Sequence, residues 1–459
     1  MSGIGLFSAL DVAVSGMFVA GLQTQTINHN IANANTPGYS RQFLRIGSQD
    51  PLILTYGSVG RGARSLGVGR AQNQFLQQQV VDQTSLLADY SAMDETLRSV
   101  EEVLGGMEND HIRSALDNFF EAWQGLSLDT NGDGAREAVV GATSNLARQF
   151  NLIDNSLAGL EADASSTFDS YVDEANELLN QIAILNGEIV SRTSGGQPPN
   201  DLLDQRQSYM DELAEYMRFN VIDRDDGSID LVVQGAALVT RSHVNELRIE
   251  ETTTNDGQRQ QSARFGGTNP VTVDFGAGAM LGYQRMANDV IPEMRADLDE
   301  LASEIIRRVN DLHSTGVTEE GVGVKLFEGT SAATMAINEA VENNNRLVAA
   351  GSDGTPGDNS IAKAIANLGT EVGPGRESAL DDMYYTFASK VANKRGRYDA
   401  LVTGQEQIVQ SARTRLDAEK GVNLDEELAN LVVYQRSFEA NARVVRTVDE
   451  MLNVLVNMI

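Results

Sequence analysis

A chain of 459 residues is long enough for several cores, and its 41% hydrophobic content places it among folded proteins. The 65 acidic against 35 basic residues leave a net charge of -30, which repels a phosphate backbone and makes nucleic acid an excluded partner. The absence of cysteine removes disulfides, thiolate metal sites and cysteine nucleophiles together.

Residues 4–34 read as a helix whose apolar positions Phe7, Leu10, Val14, Met17 and Gly21 are spaced three and four apart. The amides Gln23, Gln25, Asn28, Asn30 and Asn33 crowd its second half, so it needs a packed partner to be stable. The first basic residue is Arg41, so no cleaved secretory signal is expected. No uninterrupted apolar run approaches roughly 18 residues, and membrane insertion is not expected either. Thr36-Pro37-Gly38 ends the helix, because proline pushes the residue before it out of the helical region and Pro-Gly suits a tight turn. A glycine-rich extended passage follows from Gly57 to Gly69.

Helical spacing returns between Gln72 and Leu104, ends at Gly105-Gly106, and recurs at 111–126, 135–152, 155–192 and 202–217. The character changes at Phe219. Val221-Ile222 and Ile229-Asp230-Leu231-Val232-Val233 flank Asp225-Asp226-Gly227-Ser228, a hairpin signal, and strand-like pieces follow at 237–241, 244–250 and 271–275. Residues 219–279 are therefore expected to form a β-rich outer domain inserted between helices. Met280 to His313 is helical again, 316–376 is an irregular excursion, and helix resumes from Met383 to Glu419.

The last stretch carries a continuous stripe: Leu424, Leu428, Leu431, Gln435, Phe438, Ala442, Val445, Asp449, Leu452, Val456 and Ile459, alternately four and three residues apart. A 3.5-residue period predicts a coiled coil, and the helix at 4–34 is the natural partner. Gln435 and Asp449 interrupt the apolar run and are expected either to fix register or to face water. The fold class is mainly α with an inserted β-rich domain, elongated, its terminal helices paired as a coiled coil. Three regions follow: 1–56 with 420–459 as the coiled-coil domain, 57–218 with 280–419 as the long-helix domain, and 219–279 as the β-rich domain.

Catalytic and metal chemistry has little to stand on. His29, His111, His243 and His313 are too scattered for a metal pair, and His313 at a helix end is placed where a cation would meet the helix dipole favourably. Asp129-Thr130-Asn131-Gly132-Asp133-Gly134 reproduces the first half of a calcium loop, but Val140 stands where the closing carboxylate belongs. No catalytic residue, metal site or cofactor is expected.

Ala32-Asn33-Ala34-Asn35-Thr36-Pro37-Gly38-Tyr39-Ser40-Arg41-Gln42 resembles the N-terminal signature of bacterial flagellar rod, hook and hook-associated proteins. Gly421-Val422-Asn423-Leu424-Asp425-Glu426-Glu427, Tyr434-Gln435 and Thr447-Val448-Asp449-Glu450-Met451-Leu452 are similar to the C-terminal helix of that family. Asn200-Asp201-Leu202-Leu203-Asp204-Gln205-Arg206 and Asn310-Asp311-Leu312-His313-Ser314-Thr315-Gly316 resemble internal stretches of its junction-forming, hook-associated members. The resemblance implies a flagellin-like layered architecture, with paired terminal helices as an inner tube. It implies a structural subunit at the hook–filament junction, in a ring of about eleven copies. Implied partners are the hook protein, a second hook-associated junction protein, an export chaperone on the C-terminal helix and the type III export apparatus, with an extracellular destination. A hook or distal rod subunit is the alternative within the family, and a metal-binding or hydrolytic protein on a helical rod is the alternative outside it.

Overall fold

A computed structural model describes residues 2–54, 57–105, 111–194, 199–254, 259–266, 271–318, 320–372 and 378–458. Helix α1 (Ser2–Asn33) leads through a turn into the antiparallel strands β1 (Gln42–Ser48) and β4 (Ala63–Arg70), with the small pair β2 (Leu52–Leu54) and β3 (Gly57–Val59) between them. The glycine-rich passage thus supplies one edge of a hairpin ladder. Helix α2 (Gln74–Val103) begins where the Asn73 side chain accepts the Leu76 N–H, and it stops at Gly105, whose φ of 94° a side chain would resist.

Helices α3 (His111–Leu128) and α4 (Asp133–Thr193) follow. The two helices expected at 135–152 and 155–192 are a single helix of 61 residues. Neither glycine nor proline occurs between Gly141 and Gly159, and the Asn155 and Ser156 side chains bond back to the carbonyls of Asn151 and Leu152 without breaking the ladder. The calcium-like loop is the turn before α4. There the Asp129 carboxylate folds over Gly132, and Val140 is buried on the helix. Among the described residues no three His, Asp or Glu side chains converge to hold a metal ion.

Helix α5 (Asn200–Tyr216) precedes the β-rich part. Strands β5 (Asn220–Asp223), β6 (Ile229–Val233), β7 (Ala236–Thr240) and β8 (His243–Val244) form one antiparallel sheet, and β9 (Leu247–Thr253) pairs with β10 (Arg259–Phe265). The first hairpin turn is the Asp-Asp-Gly-Ser one: Gly227 takes φ 85°, and Ser228 donates to the Asp226 carboxylate through its N–H at 3.0 Å. The strand expected at 271–275 reduces to one bridge, Arg264 with Thr272, extended by the Val273 N–H bond to Ala263.

Helix α6 (Ala279–Arg285) passes through a π-helical turn at 286–290 into α7 (Ile291–His313). Pro292 lacks the N–H that would continue the regular ladder at that point. The described part of the excursion holds the short pairs β11 (Val317–Thr318) with β12 (Gly321–Val322) and β13 (Phe327–Glu328) with β14 (Ala336–Ile337), and helices α8 (Glu339–Asn343) and α9 (Ser360–Ala366). Helices α10 (Leu380–Lys420) and α11 (Leu424–Asn457) complete the chain.

Two large cores organise the body. The helical core joins α3, α7, the start of α10 and the first half of α4 around Phe119, Trp123 and Phe150. The second packs the sheet, α5 and the later part of α4 around Phe168, Phe219 and Phe275. Helix α4 passes from one to the other between Ala164 and Phe168.

His313 at the end of α7 is a packed structural residue, neutral and not cationic. It is fully buried against Trp123, its Nδ1 lies 2.6 Å from the Val324 carbonyl, and its Nε2 accepts the Ala349 N–H at 3.0 Å. Accepting at Nε2 requires a neutral ring with the proton on Nδ1, and burial lowers its pKa in the same direction.

Candidate functional site

The two terminal helices form an antiparallel pair in this one chain. Gly16 lies against Asn441, where a Cβ would come within 2.8 Å of the Asn441 amide, and Asn30 Nδ2 donates to Glu427 Oε2 at 3.2 Å. Both pairs of numbers add to 457 (16 + 441 and 30 + 427), so the two contacts hold the same register. On α1 the buried residues are Ala13, Val19, Ala20, Ile27 and Asn30. On α11 the seam runs through buried Glu427 and Val448, with Leu431, Tyr434, Asn441, Val445 and Leu452 half-buried.

That seam lies one residue away from half of the expected stripe. Leu431, Val445 and Leu452 are shared, and Ala442, Leu10 and Met17 are also half-buried. Gln435 and Asp449 are exposed, as are Leu424, Leu428, Phe438, Val456, Phe7 and Val14; Ile459 lies outside the described residues. Neither Gln435 nor Asp449 can set the register of this pair. The contacts that do so are the hydrogen bond from Asn30 to Glu427 and the packing of the Asn441 side chain on Gly16, which an apolar pattern passes over. What remains outside is a row of large apolar side chains, with Phe18 61%, Val433 58% and Val456 71% exposed.

Beneath the pair, four distant stretches meet in a polar hub. Asn30 forms two hydrogen bonds with the Gln42 backbone, Nδ2 to O and N to Oδ1, each 2.9 Å, and also accepts the Tyr39 hydroxyl at 2.8 Å. With the one phenolic proton committed to Asn30, His29 Nδ1 donates to the Tyr39 oxygen at 2.9 Å. Burial raises the Tyr39 pKa, and the nearby carboxylates of Asp204, Asp201 and Glu427 add to it, so the phenol stays protonated and remains a donor.

Ser40 is buried, and its N–H donates to Asp204 Oδ2 at 3.2 Å, while Asp204 Oδ1 pairs with Arg70 at 2.7 Å. Gln42 Nε2 reaches Asp201 at 3.3 Å. The Arg41 N–H donates to the Lys420 carbonyl at 2.8 Å, and its guanidinium lies 3.5 Å from Glu426 and 3.7 Å from Glu427. Asn33 ties back to the His29 carbonyl at 3.0 Å and accepts the Thr36 hydroxyl at 3.3 Å; Gly38 takes φ 79°, and Asn35, Thr36 and Pro37 are exposed. The N-terminal motif, the Asn200–Arg206 stretch and the start of α11 therefore touch one another. His29, Asn30 and Arg70 complete the hub and lie outside the motif residues singled out in the sequence. The one available signal was a buried amide at helical spacing.

The arrangement is a fastener, with no nucleophile, base and oxyanion donors gathered in it. Residues 97–327, half of the chain, match the flagellar hook-associated protein FlgK helical domain. The chain belongs to the FlgK family. It is a structural flagellar protein and not an enzyme, and its place is the bacterial flagellum. Residues 419–458 also match the flagellar basal body rod FlgEFG protein C-terminal region, the segment that forms α11. Flagellar hook-associated protein 1 of Bacillus subtilis is 26% identical, the match covering 98% of each chain. The protein of the same name from Salmonella typhimurium is 23% identical over 98% of this chain and all of that one. The flagellar hook junction protein FlgK from Burkholderia pseudomallei shares the fold, with a TM-score of 0.61 at 13% identity, over 75% of this chain and 99% of that one. In this chain the hub joins the two terminal segments to the matched helical domain.

Proposed function

We propose that this chain is the subunit of the junction between hook and filament. It assembles as a ring through α1 and α11, and it serves as adaptor for a second junction protein and the filament beyond. The observation that carries this reading is the uncovered apolar row on the terminal pair: Phe18, Leu428, Val433 and Val456 remain in water in the single chain. Covering such side chains stabilises an assembly by about 1.5–3 kcal/mol each when burial is complete, so a ring held by many of them is stable although the isolated pair is marginal. The same logic supports export in an unfolded state through the type III apparatus, with a chaperone covering α11 until it docks. A hook or rod subunit is the weaker reading. The likeness to flagellar hook protein FlgE of Salmonella typhimurium is 28% identical but covers only 32% of this chain.

The test combines a deletion strain with two sets of variants. Loss of the gene is expected to leave intact hooks that release filament protein, whereas loss of hooks would favour the hook reading. Leu428→Asp with Val433→Asp is expected to give a folded, exported monomer that does not restore filaments. Normal filaments from that variant would overturn the assembly role of the row.

A further inference from the structure

The chain holds two Asn-Gly pairs, Asn131-Gly132 and Asn186-Gly187, and the fold puts them in opposite settings. Asn131 is exposed in the turn between α3 and α4, and its side chain is bonded to no other described residue. Gly132 follows in extended backbone at φ -75° and ψ 115°, with its N–H on the Asp129 carbonyl at 3.3 Å. Asn186 is 1% exposed inside α4. Its amide donates to the Ile229 carbonyl at 2.9 Å and the Arg241 carbonyl at 2.7 Å, and its Oδ1 accepts Arg206 Nη1 at 2.7 Å. The Gly187 N–H lies within the same helix, where the backbone ladder engages it.

An asparagine side chain is short enough to meet its neighbouring backbone, and a following glycine, having no Cβ, leaves the approach to its nitrogen unhindered. We propose that Asn131 is a site of spontaneous deamidation. The Gly132 nitrogen gives its proton to solvent and bonds to Asn131 Cγ; the Cγ–Nδ2 bond breaks, and Nδ2 takes up a proton and leaves as ammonia. Water then opens the five-membered imide at either carbonyl. Cleavage of the new N–Cγ bond gives aspartate, and cleavage of the original main-chain bond gives isoaspartate. No electrons are exchanged, and water is the only co-reactant. Asn186 is withheld from the same chemistry, because its amide and the N–H after it must first be released from α4 and the sheet. The charge gained at 131 is tolerated, since it arises beside the positive end of α4. Neither asparagine belongs to α1 or α11, so the outcome is separate from the ring reading.

The experiment incubates the full chain in mildly alkaline buffer and maps its tryptic peptides at intervals by mass spectrometry, with methyl transfer by an isoaspartyl methyltransferase as a second readout. The peptide carrying Asn131 is expected to gain about one dalton and to become a methyl acceptor. Its rate is expected to exceed that of the peptide carrying Asn186 on the order of 100-fold, and the difference is expected to collapse when the chain is unfolded in urea. Asn131→Gln is expected to abolish the gain in the first peptide, because the longer side chain closes its ring far more slowly. No mass gain at Asn131 in the folded chain, equal rates at the two asparagines, or an undiminished gain in that peptide of Asn131→Gln would overturn the site.

Discussion

Asp89 and His313 are two buried groups whose titrations act in opposite directions on stability. Asp89, on α2, has one carboxylate oxygen buried without a partner and the other 3.5 Å from a half-exposed Arg285, and burial raises its pKa to about 6. The folded state thus binds its proton more tightly than the unfolded chain does. Stability from this group is present at acid pH and lost as pH rises from about 4 through about 6. Asp89→Asn is expected to raise stability at pH 7 by on the order of 1–3 kcal/mol in urea unfolding, with the gain vanishing near pH 4. For His313 the folded pKa lies below its ordinary value, so the unfolded chain takes the proton first and stability falls as pH drops below about 6.5. His313→Gln is expected to flatten that acid limb while costing about 1–3 kcal/mol at neutral pH through the lost bonds to Val324 and Ala349.

At the scale of elements, close approaches decide what can change. Gly282 on α6 sits where a Cβ would come within 2.7 Å of the Ala92 Cβ and 2.8 Å of the Asp89 carbonyl, both held by α2. Gly282→Ala is expected to force the two helices apart at a cost of about 1–3 kcal/mol, read as a lower urea midpoint with unchanged slope. On α11, Val448→Asp places a charge in the closed seam and is expected to undo the pair in the monomer, visible as lost helical ellipticity. Leu428→Asp is expected to leave the helix content as it was. The helices and the β-rich insertion were legible because periodicity and the Asp-Asp-Gly-Ser turn are local signals. The α11 seam departs from the expected stripe because its members include Glu427 and Asn441, which an apolar count discards, and because strict four-and-three spacing from Leu431 lands on exposed Gln435 and passes over half-buried Tyr434. The hub was illegible as a unit, since Asn30, Tyr39, Arg70, Asp204 and Glu427 are brought together by the fold and by no spacing in the chain.

Across the whole molecule, stability is unevenly shared. None of the three buried clusters includes a residue of α1 or α11, so the terminal pair is held by its own narrow seam and by the hub. Amides of α1 and α11 in the unassembled protein are expected to exchange on the order of 100-fold faster than those of α4 and α7, as measured by hydrogen exchange and mass spectrometry. Equal protection would mean that the pair is as firmly built as the body. Helix α4, in contrast, is anchored in both large cores and runs about 90 Å at 1.5 Å per residue. A joint near residue 154 would have divided the helical core, which holds Phe150 and Ile153 on one side of it and Leu157 and Ala164 on the other. Asp154 instead is buried in an unbroken helix and clamped by Arg295 of α7 at 3.0 Å. The body is therefore built like a beam with two continuous spars, α4 and α2, the second reaching from Val81 in the sheet core to Leu97 and Val100 in the helical core: torque applied at one end of either helix is carried to the other by an unbroken ladder, which suits a subunit of a flagellum.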